Sequence, residues 1–118
     1  MLIDIHCRNF VLTDALEEYV HKRLGFTLSR ASSEVRRVDV TLSDLNGPRG
    51  GIDKRCLVQV KLDGLMSVVV EDVQSDLYTA INRAAGRAGR TVMRRLALNS
   101  NRRRMTVAHQ SQRWLPSL

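Results

Sequence analysis

The sequence has few of the residues that staple small domains, hold metals or catalyse reactions. Its 118 residues include two cysteines, two prolines and three histidines. Cys7 and Cys56 are separated by much of the chain, and no histidine lies at a ligand-like spacing from either, which excludes a zinc-finger pattern. His6, His21 and His109 have no carboxylate or nucleophile at a meaningful local spacing. We therefore expect no enzyme activity, no metal, no cofactor and no small-molecule substrate.

Acidic residues are absent from the last third of the sequence. Residues 81–118 contain nine arginines and no acid, whereas residues 1–80 contain ten basic and twelve acidic side chains. A solvated helix face usually mixes both signs, so this asymmetry, within a net charge of +7, points to a polyanionic partner. Arginine supplies 16 of the 19 basic residues, and its planar fork favours phosphate because it can bond two oxygens at once.

Long apolar runs and leader-like segments are also missing. No run approaches the roughly 20 residues that cross a bilayer, and Asp4 and Arg8 interrupt the N-terminal segment. We therefore expect a cytoplasmic protein with free thiols and no membrane partner. The length suits one domain with one core.

Alternating apolar and polar residues predict four strands, and two amphipathic segments predict helices. The strands are expected near residues 3–8, 38–43, 56–62 and 65–71. Asp63-Gly64 predicts a two-residue hairpin turn before the fourth strand, since both of its positions need positive φ. Helix one is expected to begin at the cap residue Thr13 and helix two near Ser75-Asp76.

This order predicts an α+β fold, β-α-β-β-β-α, with a four-stranded sheet and two helices packed on one face. The domain is expected to span residues 1–98. Residues 99–118, which include Arg102-Arg103-Arg104, show no sustained period and are expected to form a basic, flexible tail.

Helix two has an apolar stripe and a basic ridge on opposite sides. The stripe consists of Leu77, Ile81, Ala85, Ala88, Val92 and Leu96. The ridge, about 150° from the stripe and roughly 60° wide, consists of Arg83, Arg87, Arg90 and Arg94. Neighbouring like charges cost about 0.2–0.5 kcal/mol per pair, and Gly86 and Gly89 cost about 1 kcal/mol each relative to alanine. These costs indicate either close packing at the glycines or an anion bound along the ridge.

The connection between strands two and three, residues 44–55, is long, glycine-rich and charged. It lies between two strands and lacks the Gly-Lys-Ser/Thr ending of a phosphate loop, so we do not expect it to bind a nucleotide. It is either an ordinary hairpin connection or a solvent loop that touches a nucleic-acid backbone through Arg49, Lys54 and Arg55. Because the predicted strands carry no aromatic platform, we expect recognition of backbone and shape instead of base identity.

Several strings of residues resemble one known family. They are Ile5 through Leu12-Thr13-Asp14-Ala15-Leu16, Tyr19-Val20 with Arg23-Leu24, and, most specifically, Asp76-Leu77-Tyr78-Thr79-Ala80-Ile81. With the order of elements, they resemble the ribosome hibernation-promoting factors and the ribosome-associated inhibitors, also called sigma-54 modulation proteins. The resemblance covers about Ile3 to Leu96.

The resemblance implies a fold similar to double-stranded-RNA-binding domains and a function on the ribosome. Members of the family bind the small ribosomal subunit and its rRNA in the channel between head and body, and they block the mRNA and tRNA positions in stationary phase. The same is implied here, by occupancy without chemistry, for a protein that is monomeric off the ribosome. The basic residues of the family correspond to Arg23, Arg87, Arg90 and Arg94. With the ridge and the loop, the expected rRNA-binding residues are Lys22, Arg23, Arg83, Arg87, Arg90, Arg94, Arg95, Lys54 and Arg55.

The sequence also departs from the family pattern. The loop at residues 46–55 is longer and more basic than in the best-known short members, Arg83 and Arg95 are additional, and the tail is basic where one branch has an acidic tail. The C-terminal dimerisation domain of the long branch is missing, so we do not expect this chain to pair two ribosomes by itself. Two alternatives stay open: a general binder of structured RNA, and a protein-binding modulator of transcription whose partner would be retained at high salt.

Overall fold

A four-stranded sheet and two helices make up the part of the protein that the structure describes. The computed structural model describes residues 1–45, 52–64 and 67–114, with side chains up to Asn99. The elements are β1 (Leu2–Arg8), α1 (Asp14–Thr27), a 3₁₀ turn (Ser29–Ala31), β2 (Val35–Asp44), β3 (Lys54–Leu62), β4 (Val68–Gln74) and α2 (Leu77–Trp114). The strands lie in the order β1-β2-β3-β4, with β1 parallel to β2 and the other pairs antiparallel. The predicted α+β class and element order are confirmed.

One face of the sheet carries the core. Its buried residues in β2 and β3 are Val35, Val38, Val40, Leu42, Cys56, Val58, Val60 and Leu62. They include the inward positions that the alternation predicts. From α1, the buried residues Leu16, Val20 and Leu24 join the same core, and α2 adds its predicted stripe. The opposite sheet face is left without a helix in the described part of the chain.

The register of β4 decides which of three consecutive valines enter the core. Val58 of β3 pairs with Val70, so Val70 is 6% exposed while Val69 is 59% exposed. A two-residue turn at Asp63-Gly64 would shift the pairing by one residue and turn Val69 inward. The observed register instead leaves Glu71 on the outer face and places Val70 in the core.

The turn before β4 is longer than predicted. Gly64 has a positive φ of 61°, but Asp63 does not. The predicted fourth strand is confirmed, but its predicted bounds of 65–71 are wrong, because β4 begins at Val68 and ends at Gln74. Residues 65 and 66 lie outside the described residues.

Side-chain caps begin both helices where the sequence predicts. Thr13 Oγ1 accepts a hydrogen bond from the Leu16 amide at 3.2 Å, and Asp76 Oδ2 accepts one from the Thr79 amide at 3.0 Å. Tyr19 of α1 and Tyr78 of α2 then meet edge to face, with ring centroids 5.0 Å apart. The contact between the two tyrosines packs the first turn of α2 against α1.

The helix α2 continues to Trp114, past the end near Leu98 that the sequence predicts. Residues 99–114 contain no glycine or proline and include arginine, glutamine, methionine and alanine, which are good helix formers; the next proline is Pro116. The predicted end of the helix near Leu98 is therefore wrong, whereas the domain division after residue 98 and the flexibility of the tail stay predictions. No helix in the described part of the chain is long and apolar enough to cross a membrane.

The two thiols lie in the core or against it. Both cysteines are free, with Cys56 in the core and Cys7 half-buried. Burial raises the pKa of Cys56 to about 12, with a further contribution from Asp72, and burial also raises the pKa of Cys7. Because the thiolate is the reactive form, both cysteines act as small apolar residues.

The two helices approach each other closely at Gly89. A Cβ atom there would lie 2.6 Å from the backbone oxygen of Thr27, the last residue of α1. At Gly86, a Cβ atom would meet only the Arg90 guanidinium, at 3.4 Å. Close packing therefore explains Gly89, and the fold gives no reason for Gly86.

Replacing each glycine by alanine should shift stability in opposite directions. Gly89→Ala should lower the free energy of unfolding by about 1–3 kcal/mol, because the clash is with backbone atoms. Gly86→Ala should raise it by up to about 1 kcal/mol, because alanine favours the helix and only a flexible side chain has to move. Urea unfolding of both variants measures the difference, and equal destabilisation would contradict this account of the helix contact.

Candidate nucleic-acid interface

Four arginines from two helices surround one glycine. They line a groove of about 300 Å³ between α1 and α2. Its lining residues are Arg23, Asn82, Arg83, Gly86, Arg87 and Arg90. The helical repeat places the three α2 arginines on one side of the helix, and the packing of α1 brings Arg23 to them. The structure thus brings together four of the predicted site residues.

Three further predicted residues lie outside this groove. Arg94 is exposed on α2 one turn beyond Arg90, and Lys22 is exposed on α1. Arg95 is exposed too. Successive residues of a helix are rotated by about 100°, so Arg95 points away from the ridge to which Arg94 belongs. We define the arginine face as Arg23, Arg83, Arg87, Arg90 and Arg94.

A buried carboxylate lies behind the arginine face. Asp72 of β4 is 7% exposed, and it accepts hydrogen bonds from Arg83 Nε at 3.4 Å and Arg87 Nη1 at 3.5 Å. Gln74 Nε2 donates to its other oxygen at 2.6 Å, and Arg87 also donates to the Glu71 carbonyl at 2.8 Å. No acid is close to the ridge along the helix, but the sheet supplies one, and it offsets part of the like-charge repulsion.

Arg23 has bonding capacity that the described residues do not use. Its guanidinium lies over the Phe26 ring, 5.7 Å from the ring centroid. Its Nε is buried and has no hydrogen-bond partner within the described part of the chain. A buried donor without a partner costs free energy.

Lys54 belongs to β3 and not to the loop in which the sequence analysis places it. Its Nζ donates to Asp44 Oδ1 at 2.9 Å and to Asp53 Oδ1 at 3.1 Å. The hydrogen bond to Asp44, with that to Asp53, raises the pKa of Lys54.

Among the described side chains, no three metal-ligating groups come together. Arg49 lies outside the described residues.

Arg55 also belongs to β3, on the sheet face away from the helices. Its Nη2 donates to Glu71 Oε2 at 2.9 Å. Neither Lys54 nor Arg55 lines the groove of Arg23, Arg83, Arg87 and Arg90, and both are paired with carboxylates. Their part in binding RNA stays a prediction.

A second, wider groove runs beside the first, between the end of α1 and α2, and encloses about 710 Å³. It includes Phe26, Arg30 and Met93, to which the sequence analysis gives no role. The sequence does indicate an unusual position for Phe26. This aromatic residue lies about 120° around the helix from the centre of the apolar stripe of α1, which consists of Leu16, Val20 and Leu24. An aromatic side chain that far from the core stripe is expected at the surface.

The fold and the arginine face define a small, basic α+β domain, and comparisons with known proteins identify its relatives. The profile of the sigma 54 modulation protein / S30EA ribosomal protein family matches residues 3–97. The N-terminal domain of Protein Y from Thermus thermophilus is 33% identical and has a TM-score of 0.65, over 80% of this chain and 98% of that one. A ribosomal subunit interface protein from Coxiella burnetii, 17% identical, has the same fold, with a TM-score of 0.67 over 82% of this chain and 99% of that one. A comparison with curated proteins found no match.

The chain therefore belongs to the sigma 54 modulation protein / S30EA ribosomal protein family. The family is ribosome-associated and non-enzymatic. The resemblance inferred from the string Asp76–Ile81 and the order of elements is confirmed. The matched range contains the whole arginine face.

Replacing Asp72 tests whether its hydrogen bonds to Arg83 and Arg87 stabilise the fold. Asp72→Asn should lower the free energy of unfolding by about 1–2 kcal/mol, because two guanidinium groups then face a neutral amide. Urea unfolding measures the change. Glu71→Gln is the matched control, since this exposed carboxylate pairs with Arg55 on the other sheet face and should cost less than about 1 kcal/mol. An equal decrease in the free energy of unfolding of the two variants would show that the bonds of Asp72 to Arg83 and Arg87 do not contribute specifically to stability.

Proposed function

We propose that the protein binds the rRNA of the small ribosomal subunit through the arginine face and silences idle ribosomes by occupying the mRNA and tRNA channel. The proposal includes action in the cytoplasm, in starved or stationary-phase cells, by a protein that is monomeric when it is off the ribosome. Binding alone produces the effect, and no bond is made or broken.

The convergence of Arg23 with the α2 ridge is the observation that carries this proposal. Arg23 of α1 and Arg83, Arg87 and Arg90 of α2 line one groove together with Gly86, and a Cβ atom at Gly86 would meet only the Arg90 guanidinium. Along α2, the ridge from Arg83 to Arg94 extends about 16 Å, which is enough to contact several phosphates of a folded RNA. Membership of a ribosome-associated family supports rRNA as the source of those phosphates.

The proposed contacts are of the kind that recognises backbone. Guanidinium groups bind phosphate oxygens in pairs, and phosphate contacts fix a protein on RNA without reading its sequence. An rRNA groove of defined shape can then select the orientation of the protein. The buried Asp72 supports this arrangement, because it holds Arg83 and Arg87 against the end of the sheet instead of leaving them free to rotate.

Removing three charges from the ridge should weaken binding in a salt-dependent way. The variant Arg87→Gln, Arg90→Gln, Arg94→Gln should reduce the slope of log affinity against log salt by about 2–3, because up to three phosphate contacts are lost. Affinity for purified small subunits is measured between low and physiological salt. In the same assay, the wild-type protein should displace mRNA and tRNA, and the variant should not.

A matched control removes three charges elsewhere. Arg8, Arg36 and Lys61 are exposed and lie outside the arginine face. Replacing all three by glutamine gives the same net charge as the ridge variant, and it should leave most of the salt slope intact. Equal losses in both triple variants would mean that only net charge matters, and an unchanged slope in the ridge variant would reject the arginine face as the contact surface.

A further inference from the structure

The wider groove between α1 and α2 has the features of a binding site. The proposed contacts between the arginine face and RNA phosphates do not use it. Its volume, about 710 Å³, lies within the range of pockets that hold small ligands. One wall is the last turn of α1 with the 3₁₀ turn that follows, and the other is α2 near Gly86 and Gly89. At Gly86 a Cβ atom would meet only the Arg90 guanidinium, so the α2 wall is open to a flat group there, whereas at Gly89 it is closed by the Thr27 backbone.

Phe26 is the least expected residue of this groove. It is 73% exposed, although burying a phenylalanine is among the larger favourable contributions that a side chain can make. Met93, across the groove, is exposed as well. Together they present an apolar surface in the middle of a strongly basic region, where a solvated charged face would be expected.

Three arginines around Phe26 have no ion pair within the described residues. Arg23, Arg30 and Arg90 line the groove, and none of them forms an ion pair within the described residues, whereas Arg83 and Arg87 share Asp72. Thr27 Oγ1 and Arg23 Nε are buried without hydrogen-bond partners in the described part of the chain. The groove therefore combines an exposed aromatic ring, which has the Arg23 guanidinium over one of its faces, with arginines that form no ion pair to described residues.

Among polyanions, RNA with an unpaired nucleotide matches this combination. A nucleobase offers a flat face that stacks on phenylalanine, and the phosphates on either side of it match arginine. A phosphate backbone alone would make no use of Phe26, and an apolar protein side chain would make no use of three arginines.

We propose that this groove holds one unpaired nucleobase of the bound RNA, stacked on Phe26, with the adjoining phosphates bound by Arg30 and Arg90. This inference rests on the proposed function for the identity of the natural RNA. It also modifies the expectation that the protein recognises only the backbone and shape of the RNA. The protein selects an unpaired base by stacking, and all four bases are expected to bind similarly, because each has a flat face.

The test compares two RNA hairpins that differ by one nucleotide. One carries a single bulged 2-aminopurine, and the other is fully paired. The wild-type protein should bind the bulged hairpin roughly tenfold more tightly and should quench the fluorescence of the 2-aminopurine, because stacking of one base on an aromatic ring contributes about that factor.

Three substitutions at one position separate stacking from other causes. Phe26→Ala and Phe26→Leu should both lose the preference and the quenching, since neither keeps an aromatic ring, while their affinity for the paired hairpin should stay unchanged. Phe26→Trp should keep both. Because Phe26 is exposed, the urea unfolding midpoints should stay close to that of the wild type.

The contrary outcomes are distinct. Equal binding of the two hairpins by the wild-type protein, or a preference that survives in Phe26→Ala, would overturn the nucleobase site. If small-subunit binding is lost in Phe26→Ala but kept in Phe26→Leu, the groove holds an apolar protein side chain and the inference is wrong. Failure of the wild-type protein to bind small subunits at all, with its bulge preference intact, would remove the proposed function and leave the groove assignment standing.

Discussion

The close seating of α2 on the sheet and against α1 is the constraint on which the rest of the structure depends. Ala84, Ala85 and Ala88 are fully buried, and at Gly89 the end of α1 leaves no room for a Cβ atom. The helix cannot rotate about its axis without breaking these contacts. The same packing that buries the small residues therefore turns the ridge outward and places it beside Arg23.

The charges of the described residues are distributed according to this packing. On the sheet face away from the helices, Arg37 is paired with Asp4 and Asp39, and Arg55 is paired with Glu71. On the helical side, Asp72 holds two arginines from beneath, and no ion pair to a described residue holds Arg23 or Arg90. These two arginines lie in the grooves between the two helices, and this marks the surface on which a polyanion is expected to bind.

Local patterns were sufficient to predict much of this fold, because alternation, helical periodicity and caps depend on near neighbours. Thr13, Asp76 and the apolar stripe of α2 follow from such patterns. The register of β4 does not, since three consecutive valines fit either face until the pairing with β3 is known. The same holds for the site: the ridge could be found from one helix, but Asp72 comes from a strand, and the groove at Phe26 exists only where two helices meet.

Co-sedimentation of the purified protein with small ribosomal subunits, in rising salt and with excess duplex RNA as competitor, tests the central claim most directly. The account predicts near-stoichiometric pelleting that resists the competitor, because a shaped rRNA site offers the arginine face more than a regular duplex does. Pelleting that the duplex abolishes would contradict it and would describe a general binder of structured RNA.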